Sequence, residues 1–178
     1  KINLCSTLDN LSKDTDVIIS MLPGDEEVLE TVSQVKKNIK PNSVFVDMSS
    51  TKVSTANECY KVLKEINSHF IDAPVSGGPE GAKSGSLAIM AGGEQDIFLQ
   101  IKPILETMGK STLLGSNGSG QVAKLCNQII VNITIGAVAE AILLCEKNGT
   151  DPNKFITAVS GGFADSKILK IHGQRMID

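Results

Sequence analysis

Short apolar runs alternate with amphipathic stretches along this chain, and the alternation predicts its elements. Residues 16–23 read Asp-Val-Ile-Ile-Ser-Met-Leu-Pro, a β-branched run closed by proline that has the pattern of a buried parallel strand. Residues 24–39 carry Asp25, Glu26 and Glu27 at the start and Lys36 and Lys37 at the end, with Lys40 directly after, a charge order that complements a helix dipole. Residues 44–48 repeat the strand pattern, 54–68 read as the next helix and 69–73 as a third strand, a βαβαβ succession. A strand at 87–91, a helix at 94–108 and a short strand at 111–114 follow.

The longest element comes next. Residues 119–148 contain no proline, and Asn148-Gly149 supplies a stop. A helix of about 45 Å is implied at 1.5 Å per residue. Val122, Leu125, Ile129, Ile130, Ile133, Ala137, Ile142 and Leu143 surround most of it, which predicts burial by neighbouring elements. Lys124, Asn127, Asn132, Glu140 and Glu146 interrupt it too often for a membrane span, so it reads as a core helix. Asp151-Pro152 opens a further helix as cap and first helical residue, and the tail from Ala164 reads as helical.

Composition narrows the function classes. With 178 residues, 41% hydrophobic and 21% charged, the chain has ordinary globular values and enough length for a sizeable core. A net charge of −3, one tyrosine and no tryptophan offer neither a basic surface nor stacking groups, which disfavours nucleic acid as a partner. Four scattered cysteines, Cys5, Cys59, Cys126 and Cys145, and two histidines form no metal-ligand spacing and no disulfide framework. The usage suits a reducing compartment. In the apolar helix, Cys126 and Cys145 read as small buried hydrophobes.

Two glycine-rich segments carry the candidate chemistry. Asp72-Ala73-Pro74-Val75-Ser76-Gly77-Gly78-Pro79-Glu80-Gly81-Ala82 leaves the end of a strand, where open α/β sheets bind ligands. Ser76, Gly77 and Gly78 allow a carboxylate to approach bare main-chain N–H groups. Gly115-Ser116-Asn117-Gly118-Ser119-Gly120 opens onto the long helix and puts Lys124 in its first turns, with Asn127 and Gln128 on the same face.

These segments resemble the signatures of the β-hydroxyacid dehydrogenase family. Asp72 to Ala82 matches its Asp-x-Pro-Val-Ser-Gly-Gly-x-x-x-Ala substrate signature, and Gly115 to Lys124 its Gly-x-x-Gly-x-Gly-x-x-x-Lys catalytic signature. The resemblance implies an α/β chain: the second half of a Rossmann-like nucleotide-binding domain (1–118), then a long interdomain helix and the start of an all-α domain (119–178). Neither the family's Gly-x-Gly-x-x-Gly turn nor its later helices and second lysine occur, so the chain reads as the middle portion of a longer enzyme, inactive alone.

The implied activity is hydride transfer between NAD or NADP and a small carboxylate-bearing β-hydroxyacid, without a metal. Lys124 is the implied acid/base catalyst, with a pKa lowered by partial burial. Asn127 is its implied partner, although part of the family has asparagine where Gln128 stands here. Ser76, Gly77 and Gly78 are the implied substrate cradle. Leu22, Pro23 and Thr51, after apolar strands, are candidate cofactor contacts; a threonine capping a helix explains Thr51 equally simply, whereas for Leu22-Pro23 the cofactor reading is favoured over a proline that only ends a strand. Asp72 reads as fixing the loop by hydrogen bonds.

Residues 124–128 and 160–164 most resemble relatives that reduce 2-hydroxy-3-oxopropionate (tartronate semialdehyde). 3-Hydroxyisobutyrate dehydrogenation and succinate semialdehyde reduction are the alternatives. A non-catalytic oligomerisation or binding module of the same fold is argued against by Lys124, and a phosphosugar substrate by the lack of basic residues from Ser76 to Ala82. A homo-oligomer, dimer or tetramer, is implied for the full-length protein, in the cytoplasm or the mitochondrial matrix.

Overall fold

A computed structural model describes residues 4–178, as one compact unit running to Lys124 and a second comprising Leu125–Asp178. In the first unit the chain runs α1 (Leu8–Ser12), β1 (Val17–Ser20), α2 (Asp25–Val35), β2 (Val44–Asp47), α3 (Val53–Lys64), β3 (His69–Asp72), β4 (Val75–Ser76), α4 (Gly78–Lys83), β5 (Leu87–Gly92), α5 (Gln95–Leu105) and β6 (Gly109–Gly115). Helix α6 (Ser119–Lys147) crosses the division, and α7 (Pro152–Val159), a π-helical turn (Leu169–Gly173) and α8 (Gln174–Ile177) complete the second unit.

Strands β1, β2 and β3 are parallel, with Val17 opposite Val44 and Val44 opposite His69. Strand β5 runs antiparallel to both β3 and β4 and parallel to β6, so the sheet is mixed. The period of two sorts each strand between two layers. Ile18, Phe45 and Phe70 face the core formed with Val28, Val32 and Val35 of α2 and Ala56, Cys59 and Leu63 of α3. Val44, Val46, Ile71 and Ile89 face the core formed with Ile97, Phe98, Ile101 and Leu105 of α5. Phe45 and Phe70 stack at 6.1 Å between ring centroids. Full burial of side chains such as Phe45, Leu63 and Ile71 contributes about 1.5–3 kcal/mol each.

Several expectations need correction. Strand β1 is not buried on both faces: on the side that faces the α5 core Val17 is half-buried against that cluster and Ile19 is 41% exposed. Strand β4 and the short helices α1 and α4, which the apolar pattern did not announce, also form. The long helix is not sheathed. Leu125, Ile129, Ile130 and Ile133 are all more than half exposed, and of its hydrophobic side chains only Val138 and Ile142 are buried, against Leu169 with Ile156, Val159 and Ile177 beside it. The described elements after α6 are short and cover only this part of it. By length and hydropathy α6 is long and apolar enough to cross a membrane. Cys126 is exposed and Cys145 half-buried, where burial was expected.

Candidate active site

The strand ends β1 and β2 carry two loops locked by buried polar groups. Asp47, 1% exposed at the end of β2, accepts hydrogen bonds on Oδ1 from the Ser20 hydroxyl at 2.8 Å and the Ser49 hydroxyl at 2.6 Å. The Ser49 oxygen in turn accepts from the Leu22 amide at 2.8 Å. A turn further on, Asp25 Oδ1 accepts from the Lys52 amide at 2.9 Å and the Thr55 hydroxyl at 2.6 Å, and these bonds, that to Thr55 foremost, hold its carboxyl below the usual range. Leu22-Pro23 and Thr51 therefore sit on one braced ledge at the carboxyl edge of two parallel strands, where nucleotide-binding sheets place their ligand.

A second set of bonds joins this ledge to α6. Gln121, 1% exposed, donates from Nε2 to the Ser49 carbonyl at 2.9 Å and accepts on Oε1 from the Thr51 amide at 3.1 Å. Asp72, fully buried at the end of β3, receives the Gly118 amide on Oδ1 at 2.7 Å and the Gln121 amide on Oδ2 at 3.0 Å. Burial raises the Asp72 pKa, and the amides of Gly118, Gln121 and Gly120 oppose that rise. The carboxylate thus takes the first unpaired amides of the long helix, as a capping side chain does. Glycine is required at 120 by close approach: a Cβ there would lie 2.3 Å from the Met90 carbonyl oxygen.

Lys124 follows one turn later. Its Nζ donates to the Val75 carbonyl at 2.9 Å, and partial burial lowers its pKa. That bond brings the lysine to the residue preceding Ser76, so the two glycine-rich segments meet. Ser76 lies in β4, and Gly77 and Gly78 turn the chain into α4 with φ of +137° and +62°, left-handed values that favour glycine. A Cβ on Gly77 would approach Leu87 at 3.1 Å, whereas one on Gly78 would meet nothing within 4 Å. Both glycines are exposed, so their backbone is open to a ligand.

Family models match both parts of the chain: the NAD binding domain of 6-phosphogluconate dehydrogenase over residues 1–136, and the NAD-binding of NADP-dependent 3-hydroxyisobutyrate dehydrogenase over 118–178. The chain belongs to the β-hydroxyacid dehydrogenase family. Among members, 2-hydroxy-3-oxopropionate reductase of Escherichia coli K12 is 42% identical, covering 96% of this chain and 60% of its own length. A protein of Arabidopsis thaliana named "Probable 3-hydroxyisobutyrate dehydrogenase-like 2, mitochondrial" is 40% identical over 88% of this chain and 50% of its own. The structure of Mycobacterium tuberculosis 3-hydroxyisobutyrate dehydrogenase with L-serine superposes with a TM-score of 0.87 at 31% identity, covering 94% of this chain and 58% of that one. The chain therefore spans half to three-fifths of these relatives' lengths.

Membership establishes the Rossmann-like fold and a nicotinamide cofactor, and no cluster of metal ligands exists among the described residues. The ledge fits such a cofactor: the Thr51 hydroxyl is buried without a hydrogen-bond partner, an acceptor and donor left for a ligand. Asn127 lies a turn beyond Lys124 on α6, and its side-chain amide donates to Gln128 Oε1 at 3.0 Å. Sequence reasoning missed the bracing roles of Asp47 and Gln121. The signals were present: an acid closing the apolar run Val-Phe-Val, and a long amide set where two glycines permit close backbone approach.

Proposed function

We propose that the full protein is an NAD(P)-dependent β-hydroxyacid dehydrogenase or reductase whose substrate is 2-hydroxy-3-oxopropionate. The observation that carries the reading is the bond from Lys124 Nζ to the Val75 carbonyl, which sets an acid/base group beside the Ser76–Gly78 backbone. The E. coli reductase, at 42% identity, supports the choice of substrate. The mycobacterial 3-hydroxyisobutyrate dehydrogenase and the Arabidopsis protein named as a probable 3-hydroxyisobutyrate dehydrogenase-like one favour that substrate as the second reading.

In this mechanism the amides and hydroxyl of Ser76, Gly77 and Gly78 bind the substrate carboxylate and orient the reacting carbon. Leu22, Pro23 and Thr51 hold the nicotinamide half of NAD or NADP. When bound, that cofactor supplies or accepts the hydride. Lys124 Nζ gives a proton to the carbonyl oxygen during reduction and removes one from the hydroxyl during oxidation. Its lowered pKa brings both protonation states nearer the working pH. Asn127 is assigned to hold the substrate hydroxyl or the lysine.

We divide the chain into a nucleotide-binding part, 1–118, and the start of the helical domain, 119–178. The exposed apolar face of α6 supports a homo-oligomer, and the free thiols suit cytoplasm or mitochondrial matrix. The test is consumption of NADH or NADPH by the full-length protein with 2-hydroxy-3-oxopropionate, methylmalonate semialdehyde and succinate semialdehyde. Preference for the first supports the assignment, preference for the second supports the alternative, and silence with all three refutes both.

A further inference from the structure

Gln121 is among the largest fully buried side chains, and the chemistry assigned to the site makes no use of it. A buried carboxamide has to be satisfied on both its donor and acceptor sides. Here the Ser49 carbonyl and the Thr51 amide satisfy it, two residues apart on the loop that follows β2. The side chain pairs with that loop much as a neighbouring strand would. Its own main-chain amide is held by Asp72, and Lys124 lies three residues on, along the same side of α6. The Thr51 hydroxyl on the braced loop is one of the buried polar groups without a hydrogen-bond partner among the described residues, as is Asp47 Oδ2 at the end of β2.

We propose that Gln121 is a positioning residue that fixes the 49–51 loop, and with it the Thr51 hydroxyl, relative to Lys124. One side chain then sets both the cofactor ledge and the acid/base group in register. The proposal rests on the roles given to Thr51 and Lys124 above. Its chemistry is specific, because the loop needs a donor toward Ser49 and an acceptor toward Thr51. Methionine fills similar space and offers neither. A neutral glutamic acid offers both, through its O–H and its C=O, whereas an ionised carboxylate sets an oxygen against the Ser49 carbonyl.

The experiment uses the full-length protein with Gln121→Met and Gln121→Glu. Dissociation constants for NADH and NADPH come from cofactor fluorescence, kcat is measured at saturating cofactor, and melting curves are recorded at each pH. Folded Gln121→Met is expected to bind cofactor at least about fivefold more weakly and to lose about tenfold or more in kcat, the scale of two neutral hydrogen bonds. Gln121→Glu is expected to approach wild-type affinity at low pH and to lose it as its carboxyl ionises. Wild-type affinity and kcat in folded Gln121→Met, or affinity in Gln121→Glu with the pH dependence of the wild type, overturns the proposal. Should Gln121→Met not fold, the pH response of Gln121→Glu decides. If the wild type binds cofactor yet turns over no hydroxyacid, the substrate reading fails, and the affinity ratios still decide the role of Gln121.

Discussion

The carboxylate of Asp72, at the end of β3, receives the main-chain amide of Gln121 at 3.0 Å and so ties the substrate-type segment to the helix that carries Lys124. The second oxygen takes the Gly118 amide at 2.7 Å, leaving neither oxygen free for chemistry. Asp72→Asn replaces one acceptor by an N–H donor that must face a main-chain donor. We expect a loss of about 2 kcal/mol in unfolding free energy, the range for an unsatisfied buried donor. Denaturant melts measure it, and an unchanged midpoint would contradict the capping role.

Burial lowers the Lys124 pKa, which fixes the sign of the pH response. Oxidation of a hydroxyacid needs the neutral amine, so its kcat should rise with pH through a value below the ordinary lysine pKa of about 10.4. Reduction needs the ammonium, and its kcat should fall over the same range. Rate profiles in both directions check this, and Lys124→Arg, which stays charged at these pH values, should show neither limb.

Ser76 stands apart from the braced residues: it is half-buried in β4, and none of the bonds that fix Asp47, Asp72, Gln121 and Lys124 uses its hydroxyl. Ser76→Ala should therefore leave the melting temperature within a degree or two while raising KM for the hydroxyacid about fivefold or more, the scale of one hydrogen bond to a charged group. A change in stability without a change in KM would place Ser76 among the structural residues instead.

Much of the sheet unit was legible because its strands are short apolar runs and its helices carry ordered charges. The helix at 95–105 falls inside its predicted span, and that at 53–64 starts one residue before its predicted start and stops four residues before its predicted end. The substrate-type loop was less legible: its glycines mark a flexible backbone, yet φ values of +137° and +62° at Gly77 and Gly78 start a helix rather than an open loop. Apolarity on all sides of α6 was read as burial, but hydropathy records only what a face tolerates, and Ile130 and Ile133 remain exposed. The placement of Lys124 in the first turns of α6 was legible from its spacing after the glycines. The links that hold it were not, since the bonds Ser20–Asp47, Asp72–Gln121 and Ser49–Gln121 join residues 27, 49 and 72 positions apart, separations that local periodicity does not sense.

The most direct test of the central claim is Lys124→Ala in the full-length protein, with cofactor binding and melting temperature measured beside turnover of 2-hydroxy-3-oxopropionate. The account predicts a folded variant that still binds NADH or NADPH and loses about 10²–10⁴-fold in kcat, the usual contribution of a positioned acid/base group. A folded variant that retains wild-type kcat would contradict it.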